Sequence, residues 1–323
     1  MNKSIVFLFS GQGSQFYHMA KNLYSKHASF VKWMLKLDDI FSRICGESII
    51  NKIYDQNKDT HHIFQRLKYT HPAIVMVEYS LAQTLLEEGI YPDYVLGTSL
   101  GEFVAAAIAG IMDPEDLMLT VIKQAEIIEA TCEPGCMIAI IHDVQLYQEP
   151  LIHENSELAS VNYDSHFVIA GKAAKLRGIA HFLKTKQILH QVLPVSYGFH
   201  SEGIDSAAIR FKDYLSSKSF LQPRISFISS LYGSSLSEIH QDYFWDIARK
   251  RIQFREALAS LEEAGNHIYL DLGPGSTLAN FVKRSISQGS RSESHAVITP
   301  FHQEIENLRK IVKLAADKKF IYC

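Results

Sequence analysis

The stretch Tyr94-Val95-Leu96-Gly97-Thr98-Ser99-Leu100-Gly101-Glu102-Phe103 restricts what this chain can fold into more than any other part of it. A short apolar run enters a G-x-S-x-G turn and a helix leaves it, the setting that a nucleophile elbow demands. Glycine lacks a Cβ, so the chain can pass close to its neighbours through a sharp turn. That leaves the Ser99 hydroxyl exposed above the strand and the following N–H groups pointing at an incoming carbonyl. A five-residue pattern with two fixed glycines also arises by chance; the readable strand and helix on either side give this one its weight.

The rest of the chain repeats the same alternation. Ile5-Val6-Phe7-Leu8-Phe9 is continuously apolar and is broken by Ser10-Gly11-Gln12-Gly13-Ser14-Gln15 before a helical stretch, which reads as strand, tight turn, helix. A helix is expected to open at His71-Pro72 and run through Leu81, with a short buried strand at Tyr94-Val95-Leu96. Helices alternating with buried strands favour an α/β sheet covered on both faces. After Glu133-Pro134-Gly135 the strands shorten, at 137–141, 158–161, 167–170 and 188–193, with helical segments at 144–153 and 173–184. That β-α-β-β-α-β order is the ferredoxin-like signature. It places a small inserted domain at 134–196 and a large domain at 1–133 and 197–323, resumed by strands near 225–230 and 268–272.

Composition removes several functions. With 323 residues, 47% of them hydrophobic, the chain can bury a substantial core, which argues against disorder. Lys and Arg number 32 against 35 Asp and Glu, a net charge of −3, and the signs are interspersed, so no nucleic-acid partner is expected. Nothing approaches the ~18 uninterrupted apolar residues of a membrane helix, so no membrane partner is expected. The run at 5–9 is shorter than a secretory core of roughly 7–15 residues and is followed by no cleavage pattern. Cys45, Cys132, Cys136 and Cys323 are too scattered for a disulfide scaffold, and Cys132 and Cys136 lack partners for zinc. The expected home is a reducing cytoplasm, with no metal or redox cofactor.

A serine hydroxyl is a weak nucleophile until a base takes its proton, so a histidine must come from elsewhere in the fold. The chain has 15 histidines, and most, including His61, His62, His181 and His190, read as ordinary surface or core residues. His200 stands out because it ends Leu193-Pro194-Val195-Ser196-Tyr197-Gly198-Phe199, where the inserted domain returns the chain to the large one, and interdomain clefts are where ligand sites form. The residues alone leave it one candidate among several.

Phe9-Ser10-Gly11-Gln12-Gly13-Ser14-Gln15, Tyr69-Thr70-His71-Pro72-Ala73, Gly97-Thr98-Ser99-Leu100-Gly101-Glu102, Tyr197-Gly198-Phe199-His200-Ser201 and Leu272-Gly273-Pro274-Gly275 occur in one order across essentially the whole chain. In that order the chain resembles malonyl-CoA:acyl carrier protein transacylases and polyketide synthase acyltransferases. The resemblance implies an α/β fold in which an α/β-hydrolase-like large domain carries an inserted ferredoxin-like small domain. It also implies a Ser99–His200 dyad in the cleft between them. Ser99 would be acylated by a thioester while His200 acts first as base and then as acid. The backbone N–H groups of Leu100 and Gln12 would hold the oxyanion, each donor contributing ~3–4 kcal/mol in such sites. A backbone carbonyl within 244–254 would orient the histidine.

The sequence departs from the family around one pocket. Malonyl-using members clamp the substrate carboxylate with an arginine on the helix after the elbow, and the ungapped match to it is Gln124. A neutral amide there leaves a buried carboxylate uncompensated, a loss of about 3–5 kcal/mol. Lys123 would point about 100° away around the helix. Thr98 replaces the usual histidine before the serine and His71 a usual glutamine. Tyr197-Gly198-Phe199-His200 matches neither common specificity tetrad. With Asn162, these residues (Thr98, His71, Gln124, Tyr197, Phe199) form the expected acyl pocket, suited to an acyl chain without an α-carboxyl group.

In this combination the chain resembles the trans-acting acyl hydrolases of bacillaene-type polyketide pathways. That likeness implies cleavage of acyl groups from phosphopantetheine thioesters on acyl carrier protein domains of a polyketide synthase. The phosphopantetheine belongs to the substrate, no cofactor is required, and a monomer is expected. Two other readings stand beside it: an acyl-CoA:acyl carrier protein acyltransferase, and an idle carrier-protein scaffold that the retained Ser99, His200 and oxyanion turns disfavour. With His200 as base, the rate is expected to rise with pH through an apparent pKa near ~6.5, shifted by its surroundings.

Overall fold

The computed structural model describes residues 3–319; residues 1, 2 and 320–323, Cys323 among them, lie outside the described residues. The strands are β1 (Ser4–Phe9), β2 (Tyr94–Gly97), β3 (Gly135–Ile140), β4 (Glu157–Tyr163), β5 (His166–Lys172), β6 (His190–Val192), β7 (Ser226–Ser229), β8 (Ser234–Leu236), β9 (His267–Asp271) and β10 (Glu293–Ala296). The first helices are α1 (Lys21–Lys26), α2 (Ala28–Cys45), α3 (Ile49–Ile53), α4 (Leu67–Glu87), α5 (Gly101–Ile108) and α6 (Pro114–Thr131). They are followed by α7 (Pro150–His153), α8 (Ala173–Thr185), α9 (Ala208–Ser216), α10 (Tyr243–Arg249), α11 (Phe254–Ala264), α12 (Thr277–Ser285) and α13 (Glu304–Lys319).

The larger sheet has the order β10-β9-β1-β2-β7-β8 and is parallel except for the β7–β8 hairpin. β1 lies between β9 and β2, so both its faces must be covered, which is why 5–9 reads as an unbroken apolar run. The two-residue period of the strand divides it between two cores. Phe7 and Phe9 pack with Phe41 of α2, Ile74 of α4 and Phe103 of α5. Val6 and Leu8 pack with Leu258 of α11 and Val282 of α12.

The smaller sheet has the order β4-β5-β3-β6, antiparallel throughout, and its chain order is strand, helix, strand, strand, helix, strand. Ile138, Ile140, Phe167 and Ile169 pack on Leu176, Ile179 and Leu183 of α8. The opposite face carries Met137, Ala139 and Val168 toward the larger sheet.

Three elements differ from their sequence expectation. α4 begins at Leu67 rather than at His71, and Pro72 lies within it. The N–H groups of Tyr69 and Thr70 already bond Arg66 O at 3.0 and 2.9 Å, so the proline, in the second turn, forfeits a single helical bond while the long buried face supports the helix. The expected helical segment 144–153 is a 3-10 turn over Val144–Gln148 followed by α7, because Pro150 holds Glu149 outside the helical region at φ −59 and ψ 124. β6 is shorter than 188–193, since the Ile188 N–H bonds Leu183 O at 2.9 Å beyond the end of α8.

The start of α6 fixes what faces the site. Asp113 caps it by accepting from Asp116 N–H at 2.8 Å, and Pro114 opens its first turn. With that phase set, Leu117, Val121, Gln124 and Ile128 face inward, whereas Lys123 is exposed and pairs with Glu126 at 3.5 Å. Cys45, Cys132 and Cys136 are free thiols. Among the described residues no helix is long and apolar enough to cross a membrane.

Candidate active site

Ser99 sits between the end of β2 and the start of α5 with φ 53°, a left-handed conformation that costs a residue bearing a side chain about 1–3 kcal/mol. Its surroundings impose that conformation. Gly101 N–H bonds Thr98 O at 2.9 Å and Glu102 N–H bonds Ser99 O at 3.0 Å. A Cβ on Gly101 would lie 2.1 Å from Phe9 O, so only glycine lets the elbow rest against β1.

Opposite it stands His200, also left-handed at φ 60°. Its N–H bonds Ala248 O at 2.8 Å and its Nδ1 lies 2.7 Å from Lys250 O. A carbonyl can only accept, so Nδ1 carries the proton and Nε2 presents a lone pair to Ser99 Oγ, 2.9 Å away. The orienting carbonyl thus lies within the anticipated segment 244–254. Burial pushes the imidazole down to about 4, opposed by the Lys250 bond and reinforced by the nearby Arg249 charge. The displacement from 6.5 expected of its surroundings is thus downward, and in this cleft the free base is the form present at neutral pH.

Gly11 brings the first turn against the elbow. A Cβ there would lie 2.8 Å from Thr98 O and 3.5 Å from Leu100 N. Among the described residues, neither Gln12 N–H nor Leu100 N–H has a hydrogen-bond partner, so both backbone donors are free beside Ser99 Oγ. Glu78, buried in α4, anchors the turn by accepting from Ser10 N–H at 2.7 Å and Ser10 Oγ at 2.8 Å. Burial holds that carboxyl well above the ordinary range, against the effect of both bonds.

Two cavities meet at Ser99. The larger, about 460 Å³, lies between the sheets and is walled by Thr98, Asn162, Phe199 and His200 together with Ser160, His166, Gln191 and Phe281. Asn162 and His166 are hydrogen-bonded at 2.9 Å, and burial lowers the His166 pKa. The smaller, about 10 Å³, lies deeper and is walled by Gln12, His71, Ser99, Leu100, Phe103, Gln124, Phe199, Ile247 and Ala248. Gln124 is 3% exposed and its Nε2 has no partner; neither has either ring nitrogen of His71, which burial pushes down to about 3. Gln12 Nε2 donates to Thr70 Oγ1 at 2.9 Å. Among the described residues no lysine or arginine lines either cavity.

Of the sequence candidates, Ser99, His200, Gln12, Leu100, Thr98, His71, Gln124, Phe199 and Asn162 come together at these cavities. Tyr197 does not: it lines neither, and its hydroxyl feels Glu129 and Cys132 instead. Sequence reasoning missed Ser160, His166, Gln191 and Phe281. Strand alternation from Asn162 could have found Ser160; nothing local marks the others, which reach the cleft only because the smaller sheet folds over it.

The family described as "Acyl transferase domain" matches residues 6–321. The "Polyketide biosynthesis acyltransferase homolog PksD" of Bacillus subtilis (strain 168) is 48% identical, covering 96% of each chain. The "Polyketide biosynthesis acyltransferase homolog BaeD" of Bacillus velezensis is 47% identical, again covering 96% of each. Among solved structures, the acyltransferase domain from the second module of the salinomycin polyketide synthase shares the fold at TM-score 0.85 and 24% identity, over 96% of this chain and 72% of that one. MCAT from Streptococcus pneumoniae does so at TM-score 0.78 and 23% identity, over 96% of this chain and 99% of that one.

Proposed function

This chain belongs to the acyl transferase domain family, and from that premise we propose that it is an acyl hydrolase. It removes short, uncharged acyl groups from phosphopantetheine thioesters on the acyl carrier protein domains of a polyketide synthase, and so clears blocked carriers. Within this reading the smaller sheet is a ferredoxin-like domain, 134–196, inserted into an α/β-hydrolase-like domain, 1–133 and 197–323. The protein works as a cytoplasmic monomer.

The observation that carries the reading is the uncharged wall of the deep cavity. Gln124 stands on α6 facing Ser99, while the neighbouring cation, Lys123, is on the outer face. A dicarboxylic acyl group would bury its free carboxylate there with no cation to receive it. The void is about the room of one water or methyl group, so its size and the apolar Phe103, Phe199 and Ile247 suit the methyl end of an acetyl group.

Ser99 Oγ attacks the thioester carbonyl as His200 Nε2 takes its proton, and the N–H groups of Leu100 and Gln12 receive the negative charge on oxygen. The intermediate collapses by breaking the C–S bond, and the imidazolium returns the proton to the departing thiolate. Water then gives its proton to Nε2 and attacks the Ser99 ester; the free acid forms and the proton passes back to Ser99 Oγ. Lys250 O stabilises the imidazolium in both halves through Nδ1–H.

Once the first thiol has left, the 460 Å³ cleft is open to the pantetheine arm of a second carrier as well as to water, which keeps acyl transfer between carriers as the alternative. Purified protein offered acetyl-, butyryl- and malonyl-loaded carrier protein, followed by intact mass with and without an acceptor thiol, separates the two. Free holo-carrier without an acceptor, lost in Ser99→Ala, is the expected result. Acyl groups that reappear only on a second carrier would establish the transferase and sink the hydrolase.

A further inference from the structure

Behind His200, on the side away from Ser99, lies an arrangement that the chemistry above does not use. The two carbonyls that hold His200, Ala248 O at its backbone N–H and Lys250 O at Nδ1 of the imidazole, belong to the residues on either side of Arg249. The Arg249 side chain, 24% exposed, runs the opposite way into a polar groove of about 480 Å³. There Nη1 donates to Glu157 Oε2 at 2.9 Å and Nε to Asp205 Oδ1 at 2.5 Å. Glu157 is the first residue of β4, the strand that carries Ser160 and Asn162 into the cleft. Asp205 lies in the turn that follows His200, and the second oxygen of Glu157 accepts Glu202 N–H from the same turn. One guanidinium therefore ties together the segment that holds the imidazole, the segment that bears it and the smaller sheet.

We infer that Arg249 is the positioning residue for the His200 imidazole, fixing the Ala248 and Lys250 carbonyls by bridging Glu157 and Asp205. The inference rests on the reading of Ser99 and His200 as a dyad. His200 needs such support because its left-handed backbone is unfavourable and must be over-determined by its neighbours. A planar fork with fixed donors can bridge two carboxylates that a single ammonium cannot hold in the same geometry. Ile252 N–H, bonded to Ala159 O at 2.8 Å, ties the far end of the same segment to β4.

The charge of Arg249 supplies a readout that packing alone would not move. The ionisable groups around this corner are Glu154 before β4 and Glu157 on it, Glu202 and Asp205 after His200, Asp246 and Lys250 on and after α10, and Lys172 and Lys175 across the groove. Among them the Arg249 charge is the one that lowers the imidazole pKa.

The test measures the rate at which a fluorophosphonate labels Ser99, by intact mass across pH, in wild type, Arg249→Met, Arg249→Lys and Glu157→Gln, with Ser99→Ala as the blank. Circular dichroism and thermal melting identify the folded variants. Arg249→Met should lower the plateau rate by up to ~100-fold, the scale of a misplaced catalytic group, and move the acid midpoint to higher pH. Arg249→Lys keeps the charge and should keep the midpoint near that of wild type while still losing plateau rate. Glu157→Gln, with the arginine intact, should lose less. A folded Arg249→Met with wild-type plateau and midpoint overturns the inference, as does a lowered plateau with an unmoved midpoint, which would mean general loosening. Because labelling needs only the dyad, a failure of acyl-carrier hydrolysis would appear separately, in the release assay.

Discussion

Gln124→Arg probes the uncharged cavity directly. The side chain is 3% exposed, its Nε2 has no partner, and the void in front of it is about 10 Å³. A guanidinium placed there faces His71, Phe103, Phe199 and Ile247, none of which can neutralise it, so the empty variant should lose roughly 3–5 kcal/mol as an unpaired buried charge. A malonyl group on Ser99 would supply the missing carboxylate, whereas an acetyl group would not. A hydrogen bond to a charged partner contributes about 1.5–3 kcal/mol, and each ~1.4 kcal/mol is tenfold, so the malonyl-to-acetyl ratio of kcat/KM should rise about 10- to 100-fold. The assay mixes equal amounts of both loaded carriers in one tube and follows their disappearance by intact mass. That competition reports the ratio directly and cancels any fraction of unfolded enzyme. A folded Gln124→Arg with an unchanged ratio would refute the assignment of this cavity as the acyl site.

Three further outcomes are expected. With the imidazole at about 4, Ser99-dependent turnover should be level from pH 5 to 8 and fall below that as Nε2 takes a proton; a midpoint near 6.5 in the corrected rate profile would mean that water reaches His200 freely. Glu102, buried and accepting from Ser230 and Tyr243, is raised from 4.5 to about 7 by burial, so its contribution to stability is full below about 4.5 and lost as pH rises through 7. Glu102→Gln should therefore flatten denaturant stability between pH 5 and 8. Asp271, raised to about 6, adds a slope of the same sign and His71 and His200 an opposite one below about 6.5, so the readout is the difference between wild type and variant. Gly101→Ala, whose Cβ would lie 2.1 Å from Phe9 O, should cost ~1–3 kcal/mol or more and lower Ser99 labelling; a wild-type melting temperature would contradict the close packing of elbow on β1.

What the sequence determined by itself is local. The apolar run of β1, the strand–turn–helix around Ser99 and the strand and helix order of the smaller sheet all follow from side-chain period and turn chemistry, which act over a few residues, while Gln124 was placed at the pocket by the family resemblance. The misplaced boundaries are local too. Pro72 looked like a helix start because proline is tolerated early in a helix, but burial of the 67–87 face outweighed one forfeited bond. Pro150 divided a segment whose apolar spacing had read as continuous helix.

The residue pattern left His200 one candidate among 15 histidines and the family resemblance pointed to it, but only the tertiary structure brings it across 101 residues to within 2.9 Å of Ser99. Only it left Tyr197 outside the pocket, recruited His166 and Phe281 to the cleft, and set Arg249 behind the imidazole. The basicity of His200 was decided there as well, because a pKa depends on how much water and charge surround a group. Those surroundings come from segments far apart in the chain, and no window of sequence contains them.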